Sequence, residues 1–273
     1  MIKPVLQDDA FLADVRAADQ RDGGVRLWWL GQSGYLVQYQ GEHLLIDPYL
    51  SDSLTKKYAA TDKPHVRMTE RVVDPARLDF IDVVTSSHNH TDHLDGETLI
   101  PLMRANRNLR MIVPAANRDF AANRLGCAAA WFTGLEDGER ATAGSFRITA
   151  VPACHEEVGP EYHGYVFQFG RWTIYHSGDT LLYGGMVDRL REFAIDAALL
   201  PVNGRAPERR VAGNLDAREA AQLGKDIGAR LVIPCHYEMF TFNTADPAVF
   251  VAEATSIGQS CRVLKCGERC TLD

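Results

Sequence analysis

The segment Ser87-His88-Asn89-His90-Thr91-Asp92-His93 has the form HxHxDH and gathers three imidazoles and a carboxylate in one short stretch. Neutral imidazole nitrogens and carboxylate oxygens are ligands for divalent transition metals. The whole chain has nine histidines in 273 residues, so composition alone gives such a cluster very seldom. It follows the apolar run Val83-Val84-Thr85. On an extended backbone His88 and His90 project to the same side and can reach one ion, while Asp92 and His93, at the turn beyond, can address a second. Burying so many polar groups behind an apolar strand is costly unless something pairs them.

A site for two ions needs more ligands, and isolated His or Asp residues stand where other strand-like runs stop. His155 follows Ile148–Pro152, Asp179 follows Thr173–His176 within Ser177-Gly178-Asp179-Thr180, and His236 follows Leu231–Pro234. Strand ends are where open sheets commonly place functional side chains. The chemistry this set suits is hydrolysis: a metal-bound water has its pKa lowered from about 15.7 to about 7, and a second cation polarises the substrate oxygen. The expectation is two divalent ions, Zn²⁺ or Mn²⁺ with Fe²⁺ also compatible, and Asp92 and Asp179 as the catalytic carboxylates.

Phe11, Leu12 and Val15 share one helical face and predict a short lead-in helix over about 8–18. Val25–Leu30, Tyr35–Tyr39 and His43–Ile46, separated by Gly31-Gln32-Ser33-Gly34 and Gln40-Gly41-Glu42, predict a strand meander. A polar, irregular stretch runs from Asp47-Pro48 to about Pro75, too long for a simple connector and of the kind that borders sites. Further strands are expected at Ile81–Thr85, Met111–Pro114, Phe146–Val151, Gly164–Phe169, Thr173–His176, Ala197–Val202 and Leu231–Pro234, with helices at Glu97–Arg104, Gly185–Glu192 and from the capping box at Asp216-Ala217-Arg218-Glu219 to Ile227. Two strand-rich halves, each followed by helices, predict an α/β fold with two mixed sheets packed face to face, helices outside, in one domain over 1–273.

With these residues in this order, the sequence resembles the metallo-β-lactamase superfamily from Trp29-Leu30-Gly31 to Gly267. The resemblance implies the four-layer αββα sandwich. It also implies that His88, His90 and His155 hold one metal and Asp92, His93 and His236 the other, with Asp179 and a hydroxide bridging them. Within the superfamily the chain is similar to the L-ascorbate 6-phosphate lactonase branch, through Trp28-Trp29-Leu30-Gly31, Ile81-Asp82-Val83, Tyr175-His176-Ser177-Gly178-Asp179, Val232-Ile233-Pro234-Cys235-His236 and Ala245-Asp246-Pro247. It departs from that branch in its shorter chain and in the turn Pro152-Ala153-Cys154-His155. The implied activity is opening of a phosphorylated sugar lactone, with phosphodiester hydrolysis as the alternative and a mononuclear iron oxidoreductase as the reading from another class. Di-iron members of the superfamily carry Glu where this chain has His90. A homo-oligomer is implied by the lactonase likeness alone.

Arg205, Arg209 and Arg210 concentrate positive charge in an otherwise acidic chain and are suited to a small anionic substrate, since arginine forks grip phosphate or carboxylate at two points. The formal charge of −7 argues against a nucleic-acid partner. Met1–Asp22 lacks an uninterrupted apolar stretch, so neither an export signal nor a membrane span is expected, and the default is a cytoplasmic protein with its six cysteines reduced. Cys266-Gly267-Glu268-Arg269-Cys270 reads as a turn between strands. His176 is expected in the core, His163 on a surface loop, and His43 and His65 in structural or exposed positions. Asp47 closes an early strand and has a carboxylate able to accept from a ligand histidine. Tyr49, Tyr58, Tyr183, Tyr237 and Phe240 are candidate pocket walls.

Overall fold

In the computed structural model, which describes residues 1–18 and 23–272, the three early apolar runs form β1 (Val25–Gly31), β2 (Gly34–Tyr39) and β3 (Glu42–Ile46). They pair antiparallel through the two glycine-containing turns. Almost every residue of the meander is buried, because both of its faces are covered. Helix α1 (Asp8–Ala17) lies against β1, where Phe11 meets Trp28 edge to face and the Trp28 indole donates to Asp14 at 2.8 Å. Trp29 serves the chain end that matters below: its indole N–H donates to the Gln32 carbonyl at 3.0 Å and its ring lies 4.3 Å from that of Tyr237.

β4 (Val83–Thr85), β5 (Arg110–Pro114) and β6 (Phe132–Leu135) extend this sheet in parallel, and β13 (Arg269–Leu272) closes its other edge beside β1. The order is β13-β1-β2-β3-β4-β5-β6. The second sheet contains β7 (Arg140–Ala143), β8 (Phe146–Cys154), β9 (Val158–Phe169), β10 (Trp172–His176), β11 (Ala197–Pro201) and β12 (Leu231–Cys235), in the order β12-β11-β10-β9-β8-β7. It is antiparallel through β7 to β10 and parallel through β10 to β12. One continuous apolar cluster takes side chains from both sheets, including Leu36, Val84, Phe167 and Leu199. The expected α/β arrangement of two packed mixed sheets with helices is therefore what the chain adopts.

The remaining helices are α2 (Ser53–Tyr58), α3 (Gly96–Ala105), α4 (Arg118–Leu125), α5 (Met186–Arg191), α6 (Ala217–Asp226) and α7 (Pro247–Ser256). Among the described residues no helix is long and apolar enough to cross a membrane. The long stretch after Asp47 is not wholly irregular: it contains α2 and is pinned by Arg67, whose buried guanidinium pairs with Asp52 at 2.7 Å. α4, α7, β6 and β7 lay outside the expected elements. α7 nonetheless has a plain start signal, Asp246 accepting from the Ala248 N–H at 2.9 Å with Pro247 in the first turn. The turn at Cys266-Gly267 leads into β13, but the residues before it form only the isolated bridge of Cys261 with Val232. All six cysteines are free.

The capping box that opens α6 forms as expected, with Asp216 accepting from the Arg218 and Glu219 N–H groups and Glu219 accepting from the Asp216 N–H. Asp216→Ala should lower the stability to urea unfolding by about 1 kcal/mol, the usual worth of an N-cap. An unchanged unfolding midpoint would show that α6 is held by packing alone.

Candidate metal centre

Each sheet presents chain ends at the same rim, and the buried carboxylate of Asp47, just past β3, organises the first of them. Asp47 accepts from the Ser87 N–H at 3.0 Å, from the Ser87 hydroxyl, and from Nδ1 of His93 at 2.7 Å. Residues 87–93 consequently do not continue β4. They coil into bends and a turn, with the His93 and Leu94 N–H groups donating to the His90 carbonyl. His88 and His90 still converge, their ring centres 4.6 Å apart, but by this coiling and not by the alternation of an extended strand.

The second sheet delivers His155 after β8, Asp179 after β10 and His236 after β12. Gly178 makes the approach possible. It has φ +60°, and a Cβ there would lie 2.7 Å from the Cβ of Ser87, so the turn carrying Asp179 rests directly on the loop carrying His88. The His163 N–H on β9 donates to the Ser87 carbonyl at 3.0 Å, a further link between the sheets.

All seven anticipated residues meet at this rim. One group is His88, His90 and His155, and the other is Asp92, His93, Asp179 and His236; in each, the ligand-type atoms lie within 4.8 Å of one another. The Asp179 carboxylate belongs to both neighbourhoods, at 3.4 Å from His93 Nε2, 3.3 Å from His236 Nε2 and 3.8 Å from His155 Nε2.

The donors fit a pair of divalent cations on two counts. Nε2 of His88 is buried without a hydrogen-bond partner, the condition of a nitrogen awaiting a ligand, and Nε2 of His93 is buried beside the carboxylates of Asp179 at 3.4 Å and Asp92 at 3.7 Å. Second, the opposite ring nitrogens are engaged: His93 Nδ1 with Asp47, His155 Nδ1 with the Gly213 carbonyl at 3.0 Å, and His88 Nδ1 with the Ser87 hydroxyl at 3.0 Å. Partners of this kind fix the tautomer and aim Nε2 at a metal.

Electrostatics point the same way. Burial pushes His88 well below the ordinary histidine value and lowers His155, so both are neutral, as ligands must be. Burial also opposes a charge on His93, but Asp179 and Asp92 outweigh it and hold that imidazole well above its ordinary value. For Asp179 burial raises the carboxyl, and His236 and His93 more than reverse it, leaving it far below the usual carboxylate range. Two carboxylates in a dry cluster call for positive charge, supplied by a proton on His93 or by cations.

The rim opens into a cleft of about 440 Å³ whose wall includes Gln32, Tyr58, His65, Arg124, Arg210 and Phe240. Gln32 was not anticipated. Its amide nitrogen lies 2.7 Å from Asp92 Oδ2 and 3.1 Å from His236 Nε2, from a backbone at φ +50°. Asp47 and His236 also have left-handed backbones, a strain that proteins retain where geometry serves function. Of the proposed aromatic walls, Tyr58 and Phe240 line the cleft, whereas Tyr49, Tyr183 and Tyr237 do not.

The arginine-rich loop contributes less than its composition suggested. Arg205 is bound two-pronged to Glu219 and Arg209 to the carbonyls of Asn203 and Thr244, leaving Arg210, paired with Asp62, as the member at the cleft. His163 is buried within β9, not on a surface loop, because that strand begins well before Gly164. His176 is a core histidine as expected, but it also braces the site: Nε2 lies 3.0 Å from the Ser33 carbonyl, and Nδ1 accepts from the Gly178 N–H at 3.3 Å.

The family model described as "Beta-lactamase superfamily domain" matches residues 42–237. A protein of Opitutus terrae named UPF0173 metal-dependent hydrolase is 31% identical over 256 residues, covering 89% of this chain and 98% of its own. Among solved structures, Igni18, described as a novel metallo hydrolase from Ignicoccus hospitalis, is 25% identical with a TM-score of 0.67 and covers 92% of this chain and 99% of its own. The isothiocyanate hydrolase from Delia radicum gut bacteria shares the fold, with a TM-score of 0.72 at 19% identity over 90% of this chain and 98% of its own.

Asp47→Ala should leave the far-ultraviolet circular dichroism intact and weaken metal affinity by about 10–100-fold, the usual effect of losing a partner behind a ligand histidine. Unaltered affinity in a competitive chelator titration would remove Asp47 from that role.

Proposed function

The chain belongs to the β-lactamase superfamily, and we propose that within it this protein is a metal-dependent hydrolase of a small anionic ester, a phosphorylated sugar lactone by preference. The observation that carries the reading is the pair of ligand groups joined by Asp179 at the floor of an open cleft. The names of the Opitutus terrae and Ignicoccus hospitalis relatives support the hydrolytic part. The lactone is favoured by the sequence likeness described above and by a cleft sized for a small molecule. Seven ligand-type side chains in two groups are more than a mononuclear iron centre needs, which favours the hydrolase over the oxidoreductase reading, and metal analysis of the purified chain decides between them.

In this reading His88, His90 and His155 would hold one cation and Asp92, His93 and His236 the other, with the Asp179 carboxylate within reach of both groups. Bound divalent cations supply a water acidified to a pKa of about 7 and a Lewis-acid contact for the ester oxygen. The protein's own groups do the rest. Asp47, Gly213 and Ser87 keep the imidazoles oriented, so no reorganisation is needed as charge develops. Gln32 donates to Asp92 and fixes its carboxylate. Asp179, acidic and almost wholly enclosed, stays ionised throughout the neutral range. Arg210 and Lys57 at the cleft wall attract the substrate anion.

The reading is tested by offering the metal-loaded chain a phosphorylated sugar lactone, its unphosphorylated analogue and a chromogenic phosphodiester. Preference for the phosphorylated lactone, abolished by a chelator and reduced by Arg210→Ala, is the expected result. A preference for the phosphodiester would replace the lactonase reading. Asp179→Asn should reduce turnover at least about a hundredfold, beyond what loss of an outer partner costs, while the fold persists. Near-normal turnover by a fully metallated Asp179→Asn chain would contradict the bridging role.

A further inference from the structure

His65 is the one histidine in the cleft wall outside the two ligand groups. Its position is set with unusual care for a residue in a connecting stretch. The Thr55 hydroxyl donates to the His65 carbonyl at 2.7 Å. On its C-terminal side the chain is zipped to the segment that follows His236: Thr241 N–H donates to the Val66 carbonyl, Met68 N–H donates to the Met239 carbonyl, and Arg67 bridges Phe240 antiparallel. The stretch carrying His65 therefore shares its anchorage with a ligand loop.

The ring is held as firmly as the backbone. Tyr58 stacks on it, with centres 4.2 Å apart and planes at 17°, while Phe240 and Phe242 meet it edge to face at 5.2 Å and 4.5 Å. Nδ1 lies 3.1 Å from the Lys63 carbonyl, which can only accept, so Nδ1 carries the proton. Nε2 is left as a lone-pair acceptor with no protein donor among the described residues. The Lys63 hydrogen bond accounts for an imidazole in the aromatic slot where a phenyl ring would lose it, and it leaves the second ring nitrogen for another role. Burial also depresses the imidazole, with Asp92 pulling the other way, so the ring is neutral near neutral pH.

An imidazole that lines the cleft with its Nδ1 already engaged, beside the aromatic rings of Tyr58 and Phe240, is a combination suited to hydroxylated rings: C–H groups lie on aromatic faces and a hydroxyl donates to the remaining nitrogen. We propose that His65 contacts the substrate directly, accepting a hydrogen bond at Nε2 from a substrate hydroxyl, so that the cleft selects polyhydroxylated anions over equally charged apolar ones. Lys57 and Arg210 in the wall hold the anionic group and His65 reads the hydroxylated part. This deepens the hydrolase reading and rests on it for the identity of the site, but its test needs no turnover.

The test is calorimetric titration of the metal-loaded full chain with D-gluconate 6-phosphate and with 6-phosphohexanoate, which matches it in charge and chain length but lacks the hydroxyls. In His65→Phe, which keeps an aromatic ring in the slot, the ratio of the two affinities should fall about fivefold, the worth of one neutral hydrogen bond. His65→Gln, with an acceptor carbonyl, should recover part of it. The ¹⁵N resonance of His65 Nε2 should move on adding the hydroxylated ligand and stay in place with the other. Metal content should be the same in all three proteins. An affinity ratio unaltered by His65→Phe, or a loss of metal in that variant, overturns the proposal. If the ratio falls as expected while the wild-type chain hydrolyses no lactone, the contact stands and the lactonase reading fails.

Discussion

The hydrogen bonds of the Asp47 carboxylate, buried at the end of β3, set the geometry on which the rest of the site depends. One side chain holds the Ser87 backbone, the Ser87 hydroxyl and the His93 ring. Ser87 in turn orients His88, receives the His163 N–H of the opposite sheet and supports the turn at Gly178. A carboxylate enclosed so completely is tolerated only because every contact it makes is a donor. The contact between the two sheets at Ser87 and Gly178 is what brings Asp179 to His93 and lets two short sets of ligands act as one cluster.

The same arrangement explains why the pKa shifts within the cluster are so uneven. Burial pushes His88 well below its ordinary value, whereas at His93, equally buried, Asp179 and Asp92 outweigh burial and raise the imidazole above its own. The two carboxylates need a compensating positive charge, and among the described residues their ion-pair partners are histidines, not Lys or Arg. Arg210 and Lys57 stand at the cleft wall, where they can meet a ligand without neutralising the ligand carboxylates. Charge is thus divided between carboxylates among the ligand groups and a wall of mixed sign, where Lys57, Arg124 and Arg210 stand with Glu156.

Much of this was legible in the sequence because it is local. The HxHxDH run, the strand ends at His155, Asp179 and His236, and the capping box at Asp216 depend on neighbours within a few residues. What escaped depends on distance. Gln32 reads as one residue of a tight turn, and its reach to Asp92 spans sixty positions. Asp47 reads equally well as a turn former until His93 is placed against it. Which of the three arginines reaches the cleft was hidden for the same reason: composition counts guanidinium groups, but Glu219 and backbone carbonyls hold Arg205 and Arg209, and Arg210 is the one at the cleft wall. β7, with the sequence Arg-Ala-Thr-Ala, has little pattern of its own and is a strand because β8 offers it an edge.

The central claim is that the two ligand groups form two cation sites sharing Asp179, and a crystal of the metal-loaded chain measured at the absorption edge of the added metal tests it most directly. The account predicts two anomalous peaks per chain, one among His88, His90 and His155 and one among Asp92, His93 and His236, with Asp179 beside both. A single peak, or peaks elsewhere with these side chains still paired to one another, would contradict it.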